Sequence, residues 1–329
     1  MNTRRARWPL TGLLLLSVAL AGCDIDWIEV FGGHHNHNDN TSKVSKTNVP
    51  GLDVAQSDYR FTQAYDNLAQ AVDGNNNYYK TLKVDLQAEA SAAGRDIRPT
   101  RVILFDDPAR ITPIIAADRR AGLDLPPAML VYQTRNDASA QNVGVAYNSS
   151  DYLAARYNVS DAQDALDGLA SDLDSLVRDA SGNSASRIGA VGSISRGEGI
   201  VDRTSNHDFN TTLDRLVGAI NDNSDLELLQ QWDYRAAAHS IGSMLDANDD
   251  PSTLVIVNAG ADQARMIAGG QTVAVDLPVR ILVSEDTNGT VHVDYDKPSY
   301  LADRHHVDAS NAVDDLDSTV RSLVNKAIN

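Results

Sequence analysis

The chain has 329 residues, 42% hydrophobic and 22% charged, which is enough for about two domains with real cores. Its net charge of −17 sets 40 Asp and 5 Glu against 22 Arg and 6 Lys, a surface that repels phosphate backbones and argues against nucleic acid as a partner. Cys23 is the single cysteine, which rules out an internal disulfide, a cysteine zinc site, an iron–sulfur cluster and a c-type haem attachment within the chain.

At the N-terminus, Arg4, Arg5 and Arg7 precede a leucine-rich run from Leu10 to Leu20. About eleven residues rise roughly 16 Å as a helix, well short of a hydrocarbon core of about 30 Å, so the run reads as a signal segment. It closes in Leu20-Ala21-Gly22-Cys23, which resembles the lipobox of bacterial lipoproteins. Small residues before the thiol let an extended chain enter a peptidase site. The resemblance implies a diacylglyceryl group on Cys23, loss of residues 1–22, and a fatty acyl chain such as palmitate on the new amine. Two or three chains hold a protein stably at a membrane. The competing reading is an ordinary cleaved signal with a chance cysteine. Asp24 resembles the enterobacterial signal for retention in the inner membrane, and other lineages read that position differently, so inner and outer membranes both stay open. The expected place is the cell envelope, facing the periplasm or the exterior.

Residues 23–50 form a polar tether carrying His34, His35, His37 and Asp39. Imidazoles at that spacing could hold a divalent metal. The bland alternative is a solvated spacer that happens to be histidine-rich, because a flexible site carries a large ordering cost.

Beyond the tether the chain repeats itself. Arg98 to Phe105 matches Asp250 to Val257 at an offset of 152, which also carries Asp124-Leu125-Pro126 onto Asp276-Leu277-Pro278. A shorter loop then changes the offset to 148, where Tyr152-Leu153-Ala154-Ala155-Arg156 meets Tyr300-Leu301-Ala302-Asp303-Arg304. Phe61, Tyr65, Leu68 and Val72 give one apolar helical face, and Phe209, Leu213, Leu216 and Ile220 repeat it. Ser57 and Ser205 stand where N-caps are expected. Each copy closes in an apolar-striped helix, Leu166 to Val177 and Val313 to Val324.

The pattern predicts residues 51–179 as a first repeat, 180–198 as a Gly/Ser-rich flexible linker, and 199–329 as a second repeat. Each repeat reads as strand, helix, strand, a short helical or irregular stretch, and a buried strand at Val102–Phe105. A short helix near Thr112–Arg120 follows, then a hairpin and two helices. The hairpin pairs Ala128–Gln133 with Gly144–Tyr147, or Val279–Ser284 with Thr290–Tyr295 in the second copy. The fold class is α+β: two tandem similar domains, each a small mixed or antiparallel sheet packed with helices.

Both copies resemble the domain-of-unknown-function 302 family. The first keeps Arg98-Pro99-Thr100, a variant turn Asp106-Asp107-Pro108, Thr112-Pro113, Asp124-Leu125-Pro126, and Tyr152 to Arg156. The second keeps Asp276-Leu277-Pro278, Tyr295, and Tyr300 to Arg304, while its turn has lost the proline. The resemblance implies a compact α+β domain and brings no catalytic residues. If single-domain relatives pair as dimers, the two repeats could pair within this chain.

No phosphate loop, dinucleotide fingerprint, zinc-protease helix or serine elbow is present, and no catalytic residue is assigned. Ligand candidates are the polar residues kept in both copies: Asp124, Tyr152, Arg156, Asp276, Tyr300 and Arg304. Read structurally, each aspartate caps a turn before Leu-Pro, each tyrosine packs inward and each arginine pairs with an acid. Read functionally, the carboxylates face a pocket and the guanidiniums await an anion. His305 and His306 with Asp303 and Asp308 could bind metal, but only in the second copy. The leading expectation is a non-catalytic, lipid-anchored envelope protein that binds a partner protein or a small ligand. The alternatives are a hydrolase-like enzyme with a site between the repeats, and metal binding through the tether. No cofactor is expected beyond that divalent metal.

Overall fold

A computed structural model describes residues 48–137 and 139–329. Cys23 and its lipobox, His34, His35 and His37 lie outside the described residues. The described residues form one compact unit, and no helix among them is long and apolar enough to cross a membrane.

The first repeat begins with β1 (Leu52–Gln56), α1 (Phe61–Asp73), β2 (Lys80–Asp85), α2 (Leu86–Ala92) and β3 (Thr100–Asp106). It continues through α3 (Pro108–Ala117), a 3-10 segment Arg119–Leu123, β4 (Ala128–Gln133), β5 (Val143–Asn148), α4 (Ser150–Arg156) and α5 (Gln163–Ser181). The connection adds β6 (Ser186–Arg187). The second repeat retraces this order: β7 (Ile200–Thr204), α6 (Phe209–Asn221), β8 (Glu227–Asp233), α7 (Tyr234–Ser240) and β9 (Ser252–Asn258). Then come α8 (Gly260–Gly269), a 3-10 segment Gln271–Val275, β10 (Val279–Glu285), β11 (Val291–Asp296), α9 (Pro298–His305) and α10 (Ser310–Ile328).

Two antiparallel sheets result, with strand orders β2-β3-β4-β5-β1-β6 and β7-β11-β10-β9-β8. The Gly- and Ser-rich connection is not a free spacer: β6 pairs with β1, and Arg187 donates to Asp53 Oδ1 at 2.6 Å. Alternation along each strand gives every sheet an outer and an inner face. The outer faces lie under α1 and α5, or α6 and α10. Their stripes bury Phe61, Leu68 and Val72, and Leu216, Ile220 and Val320. Each inner face meets the other repeat. Arg119–Leu123 packs on β9, β10 and β11, and Gln271–Val275 packs on β3, β4 and β5.

Ser57 and Ser205 are not the caps. Their hydroxyls accept from the Tyr59 and His207 amides two residues on, making turns ahead of the helices. The helices start later: Asp208 caps α6 through the Thr211 amide at 2.9 Å, and Arg60 precedes α1 with no side-chain cap.

Candidate functional site

Two arrangements of polar side chains lie between the repeats, one closed and one open. The closed one gathers all six residues that repeat in the sequence. Asp124 and Asp276 end the 3-10 segments, where Leu125–Pro126 and Leu277–Pro278 are both cis. Tyr152 and Arg156 sit one turn apart on α4, and Tyr300 and Arg304 likewise on α9. Glycines bring the chain close beside these helices. A Cβ on Gly51, at φ +74°, would lie 2.7 Å from Tyr152, and one on Gly199, at φ +75°, would lie 2.1 Å from Tyr300.

The two arginines reach across to the opposite repeat. Arg156 donates to Asp124 Oδ2 at 2.8 Å, to the Glu198 carbonyl at 2.9 Å, and to Asp296 of the second repeat. Arg304 donates to Asp276 Oδ2 at 2.7 Å, to the Pro50 carbonyl at 2.9 Å, and to Asn148 Oδ1 of the first repeat at 2.7 Å. Each guanidinium also lies over a tyrosine of the other repeat, Arg304 at 4.0 Å from the Tyr152 ring centre and Arg156 at 4.8 Å from Tyr300.

The halves differ in charge. Arg156 serves two carboxylates, whereas Arg304 serves a carboxylate and an amide. Burial pushes Asp296 up, and Arg156 only partly offsets it. Burial also acts on Asp276, but Arg304 and His305 outweigh it and hold its carboxyl well below the usual range. Burial lowers His305, which keeps its ring neutral; one tautomer then gives Nε2–H to Asp276 Oδ2 at 2.8 Å and accepts from Thr272 at Nδ1, 3.1 Å. Tyr157 takes the place of His305 in the first repeat and donates to Asp124 at 2.6 Å. Arg156 is wholly buried and Arg304 is 5% exposed, and both are fully paired, so this cluster joins the repeats and leaves no guanidinium waiting for an anion. His306 donates from Nε2 to the Asn48 carbonyl at 2.9 Å, and among the described residues no three His, Cys, Asp or Glu side chains form a group that could hold a metal.

The open arrangement is a cleft of about 500 Å³ on the inner face of the second sheet. Asp118, Arg119 and Arg120 line it from the first repeat, and Asp202, Glu285 and Asp286 from the second. Asp118 caps the 3-10 segment and takes Arg120 Nε and Nη2, both at 3.3 Å. Arg119 donates from Nε to Ser284 at 3.1 Å. His292 joins two acids, with Nδ1 2.9 Å from Asp202 and Nε2 3.4 Å from Asp286. Backbone amides of Asn288 and Thr290 donate to Asp286, which with His292 hold its carboxyl down at about 2. Asp294 stands opposite Asp202 across the β7–β11 ladder and so projects from the same face. It has no exposed surface, and neither oxygen has a hydrogen-bond partner. Burial, with Asp202 beside it, pushes Asp294 up to about 7.

Sequence reasoning missed this cleft, although a signal existed. His292, Asp294 and Asp296 alternate with Val291, Val293 and Tyr295, marking one polar strand face where the first copy reads Val143-Gly144-Val145-Ala146-Tyr147.

The family described as Domain of unknown function DUF302 matches residues 54–176 and again residues 201–327. The chain belongs to this family, as two tandem DUF302 copies. Among curated proteins it is similar to the Fluoride-specific ion channel FluC 1 of Brucella suis biovar 1 (strain 1330), 29% identical over 35% of this chain and 43% of the channel. A protein of the same name from Brucella abortus biovar 1 (strain 9-941) matches at 29% over 35% of this chain and 41% of its own length. The chain thus spans less than half the length of these relatives. A crystal structure of an uncharacterized conserved DUF302 protein from Bacillus stearothermophilus aligns at 18% identity with a TM-score of 0.35, covering 40% of this chain and 98% of that one.

Proposed function

We propose that this tandem DUF302 protein is a lipid-anchored binding protein of the cell envelope, with its ligand site in the cleft over β7 and β11. One observation carries the reading. The polar groups common to both copies are used up in joining the repeats, while Asp202, Glu285 and Asp286, peculiar to the second copy, line a cleft open to solvent. A rigid internal pair with one specialised face suits recognition. The anchor rests on Leu20-Ala21-Gly22-Cys23, and names of ion channels among the Brucella matches are in keeping with a place at a membrane; no channel activity is drawn from them.

Expression of the full chain with labelled palmitate tests the anchor. Label on the wild type and its loss in Cys23→Ser, with release from the membrane fraction, are expected. A free thiol at Cys23 in a soluble protein would overturn the anchor. For binding, melting of the detergent-solubilised protein is followed against panels of small envelope metabolites. A hit lost in Asp202→Asn supports the cleft, and no hit in any class counts against a binding protein.

A second reading is an envelope hydrolase in the same cleft, between the repeats. Asp294 favours it, since a carboxyl that titrates near neutrality beside an imidazole suits proton transfer. Turnover of ester or amide substrates that is lost in both Asp294→Asn and His292→Gln would support that reading. The tether histidines His34, His35 and His37 remain a metal-binding proposal, tested by metal analysis before and after deletion of residues 34–39.

A further inference from the structure

We propose that the cleft takes a small organic cation bearing at least one ammonium group, held by Asp202, Glu285 and Asp286. This deepens the binding reading and rests on it. The first support is charge: the lining carries five carboxylates, Asp246 included, against Arg119 and Arg120. Arg120 and Asp118 cancel each other, because the Arg120 fork closes on Asp118, which leaves four carboxylates against Arg119. An anion would meet a surplus of negative charge, so a cation is the favoured guest.

The second support is independent of that count. Asp294 stands across the ladder from Asp202 of the cleft lining, on the same face, with two buried oxygens that no protein donor reaches. The charged groups that act on it most strongly are Asp202 on β7, Arg119 and Arg120 on the 3-10 segment, and His292 on its own strand. Burial, with repulsion from Asp202, favours the proton and outweighs the attraction of Arg119, His292 and Arg120. An ammonium docking at Asp202 supplies the missing counter-charge. Asp294 then ionises and its proton passes to bulk water, so binding and deprotonation are coupled.

The donor set favours an ammonium over a metal ion. The acids are spread along the cleft, and no three of them group tightly enough to hold a metal. Three rotatable N–H donors on one ammonium suit separated carboxylates. A cleft of about 500 Å³ suits a short diamine.

Calorimetric titration of the intact detergent-solubilised protein with putrescine and spermidine at pH 6.5 tests this. Two buffers of different ionisation heat report proton release. Saturable binding with release of part of a proton per ligand is expected. Glu285→Gln and Asp202→Asn should each weaken it severalfold. Asp294→Ala, which installs the residue the first copy has there, should abolish the proton release; Asp294→Asn serves if the alanine variant does not fold. Diamine binding unchanged by Glu285→Gln and Asp202→Asn would mean diffuse attraction to an acidic surface, and overturns the proposal. Binding of succinate or Ca²⁺ in place of diamines would overturn the cation while leaving the binding protein standing. Silence from diamines, succinate and Ca²⁺ alike would remove both.

Discussion

The inner faces of the two sheets are built on one register and filled with opposite chemistry. In the first sheet Val54 stands opposite Ala146, and Tyr132 opposite Gly144. In the second, the same places hold Asp202 opposite Asp294, and Ser284 opposite His292. The facing segment changes in step: Gln271 reaches Thr100 on the apolar side, at 2.7 Å, and Arg119 reaches Ser284 on the charged side. Tyr132 fills the space over Gly144, where even a Cβ would come within 2.6 Å of its ring. Duplication allows this division. One face keeps the packing that a domain needs, and the other is released to carry charge, at a cost in buried desolvation.

That closed cluster gives the largest expected effect. Removing one partner of a buried ion pair costs about 3–5 kcal/mol, because the survivor stays buried and unpaired. Arg156→Met strands Asp296 and leaves Asp124 with only the Tyr157 hydroxyl, so its loss in denaturant unfolding should fall near the top of that range. Arg304→Met strands Asp276 alone, with Asn148 and His305 still bonded to it, and should cost clearly less. Equal losses would show that the second carboxylate on Arg156 has no energetic meaning. Asp296→Asn makes the first half resemble the second, and is expected to shrink the gap.

Next comes pH. Asp294 is raised from the ordinary aspartate value to about 7, so the folded protein holds that proton more tightly than the unfolded chain. Its contribution is full below about pH 4 and is lost as pH rises through 7. At about 1.4 kcal/mol per unit, Asp294→Ala should gain up to roughly 4 kcal/mol relative to wild type at pH 8, and nothing at pH 4. A pH-independent difference would refute the assignment. Asp106, raised to about 6 by burial although Trp232 Nε1 donates to it at 2.6 Å, titrates in both proteins and cancels. A smaller comparison concerns glycine. Gly199→Ala should destabilise by roughly 1–3 kcal/mol and by more than Gly51→Ala, since the clash with Tyr300 is closer than that with Tyr152.

Much of this was legible in the residues because periodicity and duplication are local signals. The hairpin β4–β5 and its copy, the apolar stripes of α5 and α10, and the α+β class follow from alternation and spacing. The repeated Asp, Tyr and Arg were visible too, and their structural reading, arginine against acid, describes the cluster. What the pattern could not supply was the partner. Asp296 for Arg156 and Asn148 for Arg304 come from the opposite repeat, 140 and 156 residues away, and the Glu198 and Pro50 carbonyls carry no side-chain signature. The cleft was hidden for a different reason. It is defined by where the copies disagree, and a search for shared residues passes over Asp294 against Ala146.

The smallest effect concerns the first helix of each copy, where the serine pattern pointed three residues too early. Both serines look like caps because Ser, followed by polar residues and an apolar stripe, is the usual helix opening. Their hydroxyls are engaged in the preceding turn, so capping falls to the next residue able to do it. Asp208 is such a residue, and Arg60 is not. Replacing a good cap costs about 1 kcal/mol, and adding one to a bare N-terminus should return a similar amount, helped by the helix dipole. Asp208→Ala is therefore expected to destabilise by about 1 kcal/mol. Arg60→Asp should stabilise by about 0.5–1 kcal/mol, because Arg60 has the extended backbone of a cap, φ −67° and ψ 158°, close to the −64° and 168° of Asp208. If Arg60→Asp gives no gain in thermal or denaturant unfolding, then α1 takes its start from the burial of Phe61 and Leu68 alone, and the difference between the two helices is one of residue choice without consequence.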